Sequence, residues 1–188
     1  MALLLVPVGS FEQHGPHLPF ETDLIIAQAV AKAVAERIGG VVGESVPVGV
    51  SVEHMDFPGT KTLTVDEFKK KILEIAEKNR DVAFINGHGG NNRSLRELGL
   101  RHANLTSLFK PYDHAGEIET SLMLYLKPEL VRKREIRQHD FRWPDKDGWK
   151  TMDYSRSGVL GDPTKATNEK GERYFRELVE KTLKALGY

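Results

Sequence analysis

The sequence predicts an α/β layered fold built on a mostly parallel sheet. Two observations predict it. Short apolar runs alternate four times with stretches of helical periodicity, and polar glycine-rich segments follow directly on apolar runs. Leu3 to Val8 is continuously apolar, the pattern of a strand covered on both faces. Thr22 is placed to cap a helix from about Asp23 to Arg37, with Leu24, Ile25, Ala27, Val30, Val34 and Ile38 on one broad face and Gly39-Gly40 at its end. Val41 to Val48 reads as a second strand. Thr64-Val65-Asp66-Glu67 is a capping box that opens a helix to about Asn79, with Phe68, Ile72, Ile75 and Ala76 as its buried stripe. Val82 to Ile85 is a third buried strand, followed by a helix to about Asn104 and a fourth strand over Ser107 to Lys110. Ala115 to Leu126 is helical and is stopped by Lys127-Pro128. Residues 132–157 are polar and irregular, and a last helix covers Asn168 to Leu186.

A chain of 188 residues with 39% hydrophobic and 29% charged residues is expected to fold as one domain, residues 1–188. Lys plus Arg and Asp plus Glu are 27 each, a balance that gives no global attraction to nucleic acid or an anionic membrane. Cysteine is absent, which excludes disulfides, thiolate zinc sites and a cysteine nucleophile. No run reaches the roughly 18 apolar residues of a membrane span. The opening Met-Ala-Leu-Leu-Leu lacks the basic segment of a signal peptide, so the expected location is the cytoplasm.

Four stretches carry candidate chemistry. The first is residues 9–23, which place Glu12, His14, His17 and Asp23 in a Gly- and Pro-rich loop after the first strand. Carboxylate and imidazole suit a divalent ion such as zinc, manganese or iron. Glu12 and His14, one residue apart in extended backbone, point to one side and can grip one ion or two adjacent ones. Asp23, at a helix start, is expected to be anionic through the local amide dipoles and is able to bridge two cations. His17 either orients the loop or faces substrate. The second stretch is Asn86-Gly87-His88-Gly89-Gly90-Asn91. His88 is a natural ligand there, Gly89 and Gly90 let backbone approach a bound molecule, and Asn91 is placed to cap the next helix. The spacing is neither a dinucleotide nor a Walker A fingerprint. In the third, His114 precedes Glu117 and Glu119, of which one is expected to reach the site and one to serve the helix N-terminus, with His114 as acid or base. In the fourth, Ser51 to Thr60, His54 has two open roles, substrate contact or anchoring of the turn. Arg134, Arg137, Arg142 and Lys146 read as a solvated surface, with a greeting site for a substrate phosphate as the alternative.

Taken together, the segments PVGSFEQHGPHLPFETD, EHMDFPGT, FINGHGGN, DHAGEIETSLML and GVLGDPTKATNEKG resemble, in order, those of the creatininase family of metal-dependent amidohydrolases. The resemblance implies a three-layer α/β/α sandwich and two divalent ions (zinc, iron or manganese) per chain. Matching residues imply Glu12, His14, bridging Asp23 and His88 as ligands and His114 as the catalytic histidine. In creatininase the remaining carboxylate stands two residues after the histidine matching His88, where this chain has Gly90; Glu119 is the expected substitute, with Glu117 second. Glu117 and His54 join His114 as catalytic candidates. His17, Ser51, Gly89, Gly90 and Asn91 are the substrate-facing candidates. Family members are commonly hexamers, so a homo-oligomer acting on a small molecule is expected.

His114 follows His88 by only 26 residues, and no Trp lies between them, whereas creatininase uses a longer interval with tryptophans over its substrate. Creatinine is therefore disfavoured. Other branches of the family act as a formylamino-pyrimidine ribonucleotide deformylase and as a peptide trimmer in redox-cofactor maturation. The expectation is hydrolysis of an amide or formamide C–N bond. Rival readings are a metal phosphoesterase and a non-catalytic relative.

Overall fold

The computed structural model describes residues 2–107 and 113–188. The elements are β1 (Leu4–Val8), α1 (Thr22–Ile38), β2 (Val41–Val42), α2 (Val65–Lys78), β3 (Val82–Asn86), α3 (Asn92–Leu98), β4 (His102–Asn104), α4 (Glu117–Leu126), α5 (Thr151–Tyr154) and α6 (Asn168–Ala185). The strands form a wholly parallel sheet in the order β2-β1-β3-β4. Leu4 to Val8 pair in register with Val82 to Asn86, so the carboxyl ends of β1 and β3 lie side by side.

The period-2 alternation of strand side chains divides the core into two layers. Leu5, Ala83, Ile85 and Ala103 pack under α1, α4 and α6 with Val30, Val34, Met123, Leu178 and Leu183. Val6, Val8 and Phe84 point the other way, to Phe68 and Ile72 of α2 and Leu95 of α3. This is the expected three-layer α/β/α arrangement. The chain departs from β1 toward β2 on one side and returns to β3 on the other. That reversal makes the crevice above the ends of β1 and β3 the place where an open α/β sheet binds ligands.

Several boundaries differ from expectation. The capping box at Thr64 forms as read: Thr64 Oγ1 accepts from Glu67 N at 3.2 Å, and Thr64 N donates to Glu67 Oε2 at 2.8 Å. Thr22, however, is inside α1 and not its cap; Glu21 holds the cap position, and Thr22 Oγ1 donates back to Pro19 O at 2.7 Å. β2 is two residues long, because after Gly43 only Val46 touches β1, through one bridge to Val8. α3 ends at Leu98 on left-handed Gly99, which frees 102–104 to form β4 earlier than expected. Ser107 lies in a 3-10 turn, and residues 108–110 of the expected strand fall outside the described residues. α4 begins at Glu117, since Ala115 has φ 52°, which no right-handed helix accommodates. No helix among the described residues is long and apolar enough to cross a membrane.

Candidate metal centre

The loop after β1 brings Glu12, His14 and Asp23 over the crevice, and the loop after β3 brings His88. Gly87 makes the close approach possible: a Cβ there would lie 2.3 Å from Asp23 O. Asn91 ties the loops together. It accepts from Val50 N at 2.9 Å and donates to Gly9 O at 3.1 Å and Asn86 Oδ1 at 3.0 Å. Its side chain does not cap α3, contrary to expectation, because it is turned into this junction.

Three groups of ligand-type atoms each lie within 4.8 Å of one another: Glu12–Asp23–His88, His14–Asp23–Glu119 and Glu12–His14–His114. The first two share Asp23. His88 Nδ1 is 3.2 Å from Glu12 Oε2 and 3.1 Å from Asp23 Oδ2. His14 Nε2 is 3.2 Å from Asp23 Oδ1 and 3.7 Å from Glu119 Oε2. The opposite ring atoms are held by backbone: His88 Nε2 donates to Val50 O at 2.8 Å and His14 Nδ1 to Glu12 O at 3.1 Å. Each imidazole thus turns its other nitrogen toward the carboxylates, the arrangement that orients a metal-binding histidine. Ser10 Oγ donates to Asp23 Oδ2 at 2.7 Å.

The electrostatics ask for positive charge. Glu12, His14, Asp23 and His88 are all buried, and Glu12 Oε2 has no hydrogen-bond partner. Burial opposes a charged His14, yet Asp23, with Glu119 and Glu12 behind it, carries its pKa up to about 10. His88 is likewise driven well above the usual histidine range by Glu12 and Asp23 despite burial. Burial lifts Glu119 to about 8. Asp23 is held well below the carboxylate range, against its burial, by His14 and His88. The imidazoles thus add to the anionic state expected of Asp23 in the first turn of α1. The donor set of carboxylate oxygens and imidazole nitrogens around this buried negative charge fits zinc, manganese or iron.

Beside the carboxylates sit His54 and His114, with ring centroids 4.4 Å apart. Burial, then neighbouring imidazoles, push both well below the usual histidine range and keep them neutral. Gln13 joins them. Its Oε1 accepts from Gly15 N at 2.9 Å, and its Nε2 lies 3.0 Å from His54 Nδ1, 3.1 Å from His114 Nε2 and 3.2 Å from Gly158 O. His114 Nε2 is also 3.0 Å from Gln13 O. Every proton finds one acceptor when Gln13 donates to His54 and Gly158 and His114 Nε2 donates to Gln13 O. His54 then carries its proton on Nε2, 3.3 Å from Glu12 Oε1, and His114 turns a bare Nδ1 toward the carboxylates, 3.9 Å from Glu12 Oε1.

Of the other expected residues, some touch this centre and some lie apart from it. Glu117 turns away: its Oε1 is 3.0 Å from Lys170 Nζ and accepts from Tyr174 Oη at 2.8 Å, because it sits two positions from Glu119 on a helix of 3.6 residues per turn. It reaches neither His114 nor the carboxylates. His17 is fully buried, with Nε2 2.8 Å from Thr120 Oγ1, and so braces the loop against α4. Ser51 is buried too, with Oγ 3.3 Å from His88 Nε2. Gly89 borders open space. Gly90 is packed shut: a Cβ would lie 2.1 Å from Val50 O and 2.5 Å from His88 Nε2. A carboxylate side chain has no room at that position. Ser10, Gln13 and Asp113 were not singled out from the sequence. Asp113 accepts from Ile118 N and Glu119 N at 3.0 and 3.1 Å, anchoring the start of α4. Ser10 lies inside the first motif at the same parity as Glu12 and His14, which was the available signal; Gln13 lies at the opposite parity and had none.

Comparison with known proteins completes the picture. The Creatininase family, described as creatinine amidohydrolase, matches residues 1–186. The chain belongs to the creatininase family. It is 36% identical to the mycofactocin precursor peptide peptidase of Mycolicibacterium smegmatis over 200 residues, covering 94% of this chain and 81% of the relative. It is 30% identical to the creatinine amidohydrolase of Pseudomonas putida, covering 95% and 86%. A 2-amino-5-formylamino-6-ribosylaminopyrimidin-4(3H)-one 5'-monophosphate deformylase of Methanothermobacter thermautotrophicus is 33% identical, over 64% of this chain and 58% of that one. A mutant creatininase of Zn-Zn type superposes with TM-score 0.83 at 27% identity, covering 98% of this chain and 89% of the other, and a manganese creatininase does so with the same score and identity, covering 98% and 90%. Members of this family are metal-dependent amidohydrolases, and this chain is one of them.

Proposed function

We propose that the chain holds two divalent ions and hydrolyses an amide or formamide C–N bond. The observation that carries this reading is the pair of ligand groups, Glu12–Asp23–His88 and His14–Asp23–Glu119, meeting on one shared carboxylate. Glu12 and His88 would hold one cation, His14 and Glu119 the other, and Asp23 both. Ions bound there supply Lewis acidity and bring the pKa of water from about 15.7 toward about 7.

The remaining steps belong to side chains. His114, neutral with Nδ1 facing the carboxylates, takes the proton released as water attacks the carbonyl. It then returns that proton to the departing nitrogen, which leaves as an amine. Gln13 keeps the lone pair of His114 on the side of the reaction. His54 Nε2–H steadies Glu12 Oε1 and leaves Oε2 for the ion. Burial of these groups strengthens every electrostatic interaction among them.

Two features favour an acyclic amide over creatinine: the absence of Trp between His88 and His114, and the higher identity to the peptide peptidase, 36% against 30% for the creatinine amidohydrolase. Family resemblance adds a homo-oligomer, a hexamer, and the charge balance speaks against nucleic acid. The test is a panel of peptides, lactams, creatinine and formamides on anaerobically reconstituted protein, with metal content measured alongside. Release of amine that requires added metal supports the reading; turnover of phosphate esters without amide cleavage refutes it.

A further inference from the structure

A second feature lies on the outer side of Gln13. A cavity of about 520 Å³ opens there, with Gln13 at its inner end, Phe20 and Phe57 on its walls, and Arg137, His139 and Arg156 around it. Its lining contains no Asp or Glu, in a chain whose acids and bases are equal in number. Among the described residues, no carboxylate lies within ion-pair distance of either Arg137 or Arg156, whereas Lys150 at the neighbouring turn is paired with Asp56. His139 Nε2 is hidden from solvent and has no hydrogen-bond partner. Burial holds the His139 pKa below the usual histidine range, Arg137 presses the same way, and Asp140 opposes both.

Unpaired guanidinium groups beside aromatic walls form a site for an anion on an apolar stem. The planar fork of Arg matches carboxylate and phosphate oxygens, and His139 can supply a further polar contact. The cavity is one side chain from the reacting groups, because the amide of Gln13 at its inner end touches both His54 and His114. We propose that this cavity receives the anionic end of the substrate, a carboxylate or a phosphate carried on an apolar or aromatic stem, through Arg137 and Arg156. The proposal rests on the hydrolase reading for its word substrate, and it narrows that reading to anionic amides.

The test separates the two. Calorimetry on the full chain, stripped of metal by chelation, measures binding of N-acetylphenylalanine and of N-acetylphenylalaninamide, so that no ion can attract the carboxylate. Inorganic phosphate is the arm that reports a phosphate preference. The acid is expected to bind at least ten times more tightly than the amide. That preference is expected to vanish in Arg137→Ala/Arg156→Ala and to return in part in Arg137→Lys/Arg156→Lys. In metal-loaded protein, the ratio of kcat/KM for N-formylphenylalanine over N-formylphenylalaninamide should fall at least tenfold in the double alanine variant. Arginine-dependent binding by a chain that cleaves neither formamide, nor any amide of the panel above, supports the cavity and refutes the hydrolase. Cleavage, or binding, that is indifferent to both arginines overturns the cavity.

Discussion

The loop of residues 9–23 and the segment of residues 132–157 flank the same histidines and are built on opposite rules. In the loop, Ser10, Glu12, Gln13, His14, His17 and Asp23 are buried, and each polar side chain is fixed by a named partner or faces another charge. The segment is largely exposed, has only short helical turns, and touches the centre through a few positions: Thr151 Oγ1 at 2.9 Å from His54 Nδ1, and Trp149 edge-on to the same ring at 6.2 Å. The loop is designed around chemistry that tolerates no displacement. The segment, exposed and loosely tied, carries the arginines proposed above to meet the substrate. On the proposals above, reaction and selectivity are carried by different parts of the chain.

Substitutions can break that comparison. The largest effect is expected from Asp23→Ala, which removes the carboxylate common to both ligand groups: loss of bound metal and a fall of about 10³-fold or more in kcat/KM, several kcal/mol of transition-state stabilisation. Metal analysis and steady-state kinetics measure it. Next are the two glutamates of α4. Glu119→Gln is expected to lower metal affinity and activity by about 10- to 100-fold, at the scale of a disturbed metal shell, whereas Glu117→Gln changes activity less than about twofold. Equal effects of the two would break the assignment. Gln13→Leu should cost about 10-fold in kcat with metal content retained, since it removes the amide that donates to His54 Nδ1 and leaves that ring to Thr151 Oγ1, while His114 Nε2 keeps the backbone carbonyl of residue 13. Nitrogen NMR of the imidazoles should then show a change in which ring atom carries the proton.

Smaller effects concern stability. The His17 pKa is pressed down to about 4, chiefly by burial. The unfolded chain therefore takes up a proton between about pH 6.5 and pH 4 that the folded chain refuses, and stability falls as pH drops through that window. Denaturant unfolding at pH 7 and pH 4.5 should show a smaller loss in His17→Asn than in the unaltered protein. The smallest expected effect is at Ala115, whose φ of 52° strains a residue with a Cβ. Ala115→Gly relieves that strain but loosens the unfolded chain, so the stability should shift by less than about 1 kcal/mol in either direction.

Legibility in the sequence followed the kind of force involved. Element types were readable because Leu3 to Val8 and Val82 to Ile85 are continuous apolar runs and Thr64 carries a complete capping box. Ends were less so. β2 and α3 stop where pairing partners and a left-handed Gly99 stop them, and neither depends on local apolar pattern alone. The ligand types of the centre stood out because Glu12, His14, Asp23 and His88 follow strand ends. The division between Glu117 and Glu119 depended on the rotation of α4 against α6, where Lys170 and Tyr174 claim Glu117. Asn91 looked like a cap, and only the proximity of Val50 and Gly9, distant in sequence, gave it other work. Gln13 was invisible for the same reason: its partners lie 41 and 101 positions away.

The central claim is that one carboxylate, Asp23, serves two cations. Crystallography of the metal-reconstituted protein with anomalous scattering, together with metal analysis of the same preparation, tests it most directly. Two ions per chain with Asp23 between them, one beside Glu12 and His88 and one beside His14 and Glu119, is the predicted result. A single ion, or ions that leave Asp23 unbound, would contradict it.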